Sequence, residues 1–211
     1  MNRDEFIRAL LLVLENSHLQ LEEHAVENLY VYYRELFVWN DRINLISRKD
    51  EDRFMERHLV DSLCVLKLNI ERGSALLDIG SGNGLPGIPL AIARPDVRVE
   101  LLEARQKRCA FLQHVVSRLK LENTKVHCGR LEELHGKLGR YHYILARGVK
   151  VTKGMATMIQ GLLEHRGALV LYRGREGSTT EENGPSIGGA AHEQGRRLTI
   201  IRDVMDFEGE R

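Results

Sequence analysis

Two hydrophobic periods divide the chain near residue 72. Before it, apolar positions recur every three or four residues. They run Phe6, Ala9, Leu10, Val13 and Leu14, then Ala25, Leu29, Tyr33, Leu36 and Phe37, then Met55, Leu59, Leu63 and Leu66 with Ser62 among them. That spacing lays each set along one face of a helix. Three helices are predicted, with Ser17 and Asp50 as caps or turn residues before the second and third, and no proline interrupts the segment. The stripes would be the core of a helical cap or small bundle over residues 1–72.

From Gly73 the period shortens. Ala75 to Ile79, Val97 to Leu102, Thr124 to Cys128, Tyr143 to Ala146 and Ala168 to Tyr172 are short apolar or β-branched runs, separated by helical stretches such as Lys107 to Leu119 and Val151 to Leu163. Strands alternating with helices predict an α/β fold: a doubly wound, mainly parallel, Rossmann-like sheet over residues 73–211. Ligands of such sheets sit outside the carboxyl ends of the strands. The rim therefore gathers the loop after Ile79, Glu103, the segment Gly129-Arg130-Leu131-Glu132, and Arg147. The glycine-rich stretch Gly174 to Gly195 breaks the rhythm and reads as a polar surface loop before the run Leu198 to Ile201.

Composition narrows the class. The 211 residues, 43% of them hydrophobic, suffice for one medium domain with a smaller appendage. No apolar run approaches the roughly 20 residues that span a bilayer, and Arg3, Asp4, Glu5 and Arg8 precede no cleavage signal, so a cytoplasmic protein is expected. Cys64, Cys109 and Cys128 are widely spaced and suggest core thiols rather than a disulfide framework or a metal site. The net charge of +1 is uneven, because residues 94–153 hold 14 Lys and Arg against 6 Asp and Glu. Such a block suits a polyanionic partner, and equally a solvated surface.

The chemistry concentrates in Asp78-Ile79-Gly80-Ser81-Gly82-Asn83-Gly84-Leu85-Pro86-Gly87, directly after the apolar run Ala75-Leu76-Leu77. Glycine allows positive φ and lets a ligand approach the backbone. One reading takes Gly82, Gly84 and Gly87 as a dinucleotide fingerprint with Glu103 at the acidic spacing, as in an oxidoreductase. The other aligns Asp78, Gly80, Gly82 and Gly84 as D-x-G-x-G-x-G, the pattern of class I methyltransferases that bind S-adenosylmethionine. It explains more residues: Asp78 would accept from the ammonium of the methionine moiety and Glu103 from the ribose hydroxyls. A pyrophosphate gains nothing from a carboxylate at position 78.

From about Leu36 to Gly174 the chain resembles the small-subunit ribosomal RNA methyltransferase G family, also called glucose-inhibited division protein B. Trp39-Asn40-Asp41-Arg42-Ile43-Asn44-Leu45 is similar to W-N-x-x-I-N-L, Arg57-His58-Leu59-Val60-Asp61-Ser62-Leu63 to R-H-x-x-D-S-L, and Gly80 to Pro89 to G-S-G-x-G-L-P-G-I-P. Lys107-Arg108-Cys109-Ala110-Phe111-Leu112 resembles K-R-x-x-F-L, and Ala146-Arg147-Gly148-Val149 resembles S-R-A-V. Where the family tends to have L-K-G this chain has Tyr172-Arg173-Gly174, which keeps the charge but not the ammonium geometry. The family usually continues beyond the position of Arg211 into a final strand, so either the sequence is a truncated form or the sheet lacks its last member.

The resemblance implies methyl transfer from S-adenosylmethionine to N7 of a guanine in small-subunit ribosomal RNA, free or in the particle; no metal is expected, and the oligomeric state is left open with a monomer favoured. Gly80, Leu85 and Arg147 would line the cofactor, with Leu131 and Glu132 at its adenine end. His58 and Asp61 would lie toward the RNA. Arg105, Lys107, Arg108, Lys150, Lys153 and Arg173 would be phosphate contacts, and Trp39 and Asn44 would pack the cap onto the domain. A non-catalytic RNA-binding module that retains the cofactor is the alternative from another class.

Overall fold

A computed structural model describes residues 1–51, 53–173, 186–187, 197–202 and 204. Helix α1 (Arg3–Asn16) opens with a capping box: Asn2 Oδ1 accepts from the Glu5 amide at 3.0 Å, and Glu5 Oε2 accepts from the Asn2 amide at 2.9 Å. It buries Phe6, Leu10 and Leu14. Ser17 ends this helix, its hydroxyl donating to the Val13 carbonyl at 2.6 Å, rather than capping the next one. Helix α2 (Glu23–Ile43) buries Ala25, Val26, Leu29, Tyr32 and Leu36. Asn44 stops it in the left-handed region at φ 49°, so Asn44 is a terminator and not the packing residue expected. Asn40 closes the end by accepting from the amides of Leu45 (2.7 Å) and Ile46 (2.8 Å).

The third predicted helix is not regular. Met55–Leu59 is a π-helical turn, continued by the short α3 (Val60–Leu63) and a 3₁₀ turn, Cys64–Lys67. The cause is local competition for carbonyls, since the His58 carbonyl accepts from the Ser62 hydroxyl at 2.6 Å and those of Arg57 and His58 also face a guanidinium described below.

The strands are β1 (Ala75–Ile79), β2 (Arg98–Glu103), β3 (Thr124–Cys128), β4 (Tyr141–Arg147), β5 (Leu163–Arg173), β6 (Ser186–Ile187) and β7 (Arg197–Ile201). Between them lie α4 (Gly87–Ala93), α5 (Gln106–Leu119), α6 (Leu131–Leu134) and α7 (Lys153–Leu162). Among the described residues the sheet order is β3-β2-β1-β4-β5-β7-β6. Strands β1 to β5 are parallel, whereas β7 runs antiparallel to β5 and β6. Strand β5 starts five residues before the predicted run, at Leu163. Glu164, His165 and Arg166 hide this part from the apolar pattern, and a register irregularity opposite Tyr141 accommodates it. Most of the Gly174–Gly195 stretch lies outside the described residues; within it Ser186–Ile187 is a strand, not loop.

The core has two sides, as strand alternation requires. Leu76, Leu101, Leu145 and Val170 face α4, α5 and the N-terminal helices in one cluster. Leu77, Leu102, Ile144 and Leu169 face α6 and α7 in the other. The N-terminal helices thus share the core of the sheet. Chain order reverses at β1, whose neighbours are β2 and β4, and this opens the crevice at their carboxyl ends.

Candidate cofactor and methyl-transfer site

The glycine loop leaves β1 at Gly80 and is tied to β2 at once. The amides of Gly80 and Ser81 donate to the Leu102 carbonyl at 2.8 and 3.0 Å, and the Gly84 amide turns back to the Ser81 carbonyl at 2.7 Å. Gly80, Gly82 and Gly84 have φ of 69°, 57° and 91°, the left-handed region that any side chain would strain. Space forbids a side chain as well. A Cβ on Gly80 would overlap Val149 Cγ2, and one on Gly84 would lie 2.7 Å from Ile88 Cγ1. On Gly87, the first residue of α4, it would overlap Leu101 and come within 2.8 Å of Asp78 Oδ2.

That last approach explains how Asp78 is held. On β1 its side chain points to the α4 face, is 1% exposed, and accepts from the Gly87 amide through Oδ2 at 3.0 Å. Its Oδ1, equally buried, has no partner among the described residues. Burial pushes the Asp78 carboxyl up to about 7; the bond from the Gly87 amide, the neighbouring Ser81 hydroxyl, which donates to the Asp78 backbone carbonyl at 2.8 Å, and the charge of Arg147 act the other way, while Glu103 raises it further. An unsatisfied buried oxygen on a carboxylate is costly and calls for a donor, best a cation. Glu103, 5% exposed at the end of β2, accepts from the Gly82 amide at 2.8 Å and the Arg105 amide at 2.8 Å. Each carboxylate oxygen retains capacity for a further donor. Two buried carboxylates flank a loop whose alternate residues are glycines, an arrangement that fits a ligand carrying an ammonium at one end and ribose hydroxyls at the other.

Arg147, closing β4, is turned toward the cap. Its guanidinium donates to Ser62 Oγ at 3.1 Å, the Arg57 carbonyl at 3.2 Å and the His58 carbonyl at 3.5 Å, and lies 2.7 Å from His58 Nδ1. A planar fork with several N–H groups can serve all of these at once. Sequence reasoning therefore located Arg147 on the rim but not its partners. His58 is brought to it, and Asp61 is buried on α3 close behind.

The other expected site residues are spread around this centre. Leu85 and Leu131 are each 4% exposed, while Glu132 is exposed on α6. Arg105 and Lys107 are exposed at the start of α5, and Lys150 and Lys153 are exposed after β4. Arg108 is half-buried with Nη1 over Gly82, 3.5 Å from where a Cβ would be, so it belongs to the loop as much as to the surface. Arg173 closes β5, and its side chain lies outside the described residues. Cys109 is buried and gives its thiol to the Glu103 carbonyl at 3.1 Å, whereas Cys64 and Cys128 are half-buried. Trp39 packs edge-on against Phe111 at 5.7 Å, joining α2 to α5 as expected.

The apolar period hides two tyrosines with polar roles. Tyr32 donates to the Asn83 carbonyl in the glycine loop at 2.7 Å, and Tyr172 donates to the Ser62 carbonyl at 3.1 Å. Tyr172 reads as a core residue in its strand, whereas the helical stripe names Tyr33 and passes over Tyr32, which is the buried one; a hydroxyl that needs a partner when buried is the signal both carry. Among the described residues no cluster of His, Cys, Asp and Glu is placed to hold a metal ion, and no helix is long and apolar enough to cross a membrane.

Residues 25–185 match the family described as rRNA small subunit methyltransferase G. The chain is 39% identical over 146 residues to the ribosomal RNA small subunit methyltransferase G of Desulfotalea psychrophila, covering 68% of this chain and 67% of that one. It is 35% identical over 193 residues to the protein of that name from Chlorobium chlorochromatii, covering 91% and 81%. A solved protein-L-isoaspartate O-methyltransferase superposes with a TM-score of 0.55 at 15% identity, covering 81% of this chain and 55% of that one, a likeness of fold alone. With the loop, its two carboxylates and this match together, the chain belongs to the ribosomal RNA small subunit methyltransferase G family and is an S-adenosylmethionine-dependent methyltransferase of class I fold.

Proposed function

We propose that this chain methylates N7 of a guanine in small-subunit ribosomal RNA. The observation that carries the reading is the partnerless buried oxygen of Asp78, set across a glycine-rich loop from Glu103 in a chain of this family. S-adenosylmethionine, when bound, supplies a methyl group made electrophilic by its sulfonium. Guanine N7 presents a lone pair and carries no proton, so no residue has to act as a general base. The protein's task reduces to binding, alignment and exclusion of water. Asp78 would satisfy the ammonium and Glu103 the ribose hydroxyls, with Gly80, Gly82, Gly84 and Leu85 along the loop and Leu131 and Glu132 at the adenine end. Arg147 holds the 57–62 segment against the rim, which brings His58 and Asp61 beside the place where the base would enter.

The basic residues around the crevice supply the sequence-independent part of RNA affinity. Arg105, Lys107, Arg108, Lys150, Lys153 and Arg173 would contact phosphates, while the shape of the crevice selects the base. Residues 1–72 act as a cap that completes the site, and a ribosomal substrate places the protein in the cytoplasm. Incubation with methyl-labelled cofactor and small ribosomal subunits should label one guanine at N7. Failure to label any ribosomal substrate, assembled or naked, refutes the proposal.

A further inference from the structure

Tyr32 is not among the residues assigned above to cofactor or RNA, yet it joins the cap directly to the cofactor loop. It lies in the middle of α2 and is fully buried. Its hydroxyl reaches 51 positions along the chain to the carbonyl of Asn83 at 2.7 Å. Asn83 stands between Gly82 and Gly84, both at positive φ. Glycines lose more conformational freedom on ordering than any other residue, so a loop built of them needs external fixing to present one shape. On either side of Asn83 in the chain, the Gly82 amide is fixed by Glu103 and the Gly84 amide by Ser81. The Tyr32 hydroxyl fixes the carbonyl between these two points.

We infer that Tyr32 is a positioning residue for the cofactor: by pinning the Asn83 carbonyl it holds the Gly82–Gly84 peptides in the conformation that receives S-adenosylmethionine. The inference rests on the methyltransferase reading and adds a residue from the N-terminal helices to the site. Burial raises the phenol further above its ordinary range, which keeps the hydroxyl a donor at every working pH. The nearby charges of Arg147 and Asp78 oppose one another there. The aromatic ring itself is ordinary core packing, 6.5 Å from the Phe54 ring. The hydroxyl alone carries the positioning role.

Tyr32→Phe keeps the ring and removes the pin. Calorimetric titration of S-adenosylmethionine should give a Kd about five- to tenfold weaker than wild type, since a buried carbonyl loses its donor and the loop must be ordered by the ligand. In steady-state assays the KM for cofactor should rise by the same factor with kcat and the KM for RNA unchanged, a split that a loss of general stability would not produce. Tyr143→Phe is the control, because its hydroxyl also meets a backbone carbonyl, that of Asn69 at 3.4 Å, away from the loop. Unchanged cofactor affinity in Tyr32→Phe, whatever its Tm, overturns the inference, as does equal weakening in Tyr143→Phe. Absence of cofactor binding by the wild type overturns the methyltransferase reading and this inference together. If Tyr32→Phe does not fold, hydrogen exchange on the wild type decides: cofactor must slow exchange in residues 29–36 as well as in the loop, and protection confined to the loop overturns the inference.

Discussion

Asp78→Asn should make the empty protein more stable and the enzyme worse. Burial moves the Asp78 carboxyl from 3.8 to about 7, so the folded state resists its ionisation. A carboxyl raised in the fold contributes stability that is fully present below its unfolded pKa and is lost as pH rises through the folded one, here between about 4 and 7. At 1.36 kcal/mol per unit, the penalty at pH 8 is about 4 kcal/mol. The asparagine retains an acceptor for Gly87 but leaves an amide N–H without a partner near Oδ1, costing about 1–3 kcal/mol. The variant should therefore gain about 1–3 kcal/mol at pH 8, several degrees in Tm for a chain of this size. Between pH 8 and pH 5 its advantage should shrink by about 2–3 kcal/mol, because the wild type regains its proton while the amide does not titrate. Thermal unfolding followed by circular dichroism at both values measures the difference, and other titrating groups cancel between the two proteins. Calorimetry should show cofactor binding at least about tenfold weaker, since the partner of the ammonium has lost its charge. A variant less stable at pH 8, or a stability gap independent of pH, refutes the reasoning.

Gly80→Ala places a Cβ at φ 69° and into Val149, so stability should fall by about 1–3 kcal/mol and cofactor binding should be lost; adding Val149→Ala should recover only the steric share, as paired melting curves would show. Arg147→Lys cannot span Ser62, His58 and the Arg57 carbonyl with one ammonium, and should lower kcat/KM about tenfold or more in steady-state methyl transfer; wild-type kinetics would exclude a role for the fork. Combined Arg105→Ala and Lys107→Ala should weaken RNA binding and flatten its salt dependence by about one unit of slope for each phosphate no longer neutralised, with cofactor affinity unchanged; a filter-binding slope equal to wild type removes them from the interface.

The main lines of this candidate site are legible in the sequence. Periodicity separated helices from strands, and the strands of residues 75–79 and 124–128 were read with their observed ends: the first is a buried, mostly apolar run, and the second, half-buried at the sheet edge, carries β-branched Thr124 and Val126 between turns. The glycine loop and its two acids follow from covalent order: each stands at a strand end, and parallel strands bring their carboxyl ends to one rim. Where the pattern failed, tertiary demand outweighed local preference. Charged residues begin β5 because the bulge opposite Tyr141 places them there, and the segment 55–67 leaves α-helical geometry where Arg147 and Ser62 claim its carbonyls.

Local order along the chain thus specified most of the helices and strands, the loop that can approach a ligand, and the acids that stand beside it, since these depend chiefly on spacing. Interactions that depend on direction and distance across the fold were settled only by packing. The orphaned oxygen of Asp78 is one outcome of that packing. The reach of Tyr32 into the glycine loop and the grip of Arg147 on the Arg57 carbonyl are others, joining residues 51 and 90 positions apart. A hydrophobic period records that a side chain is buried; the group its polar atom meets there is decided by how the helices lie on the sheet.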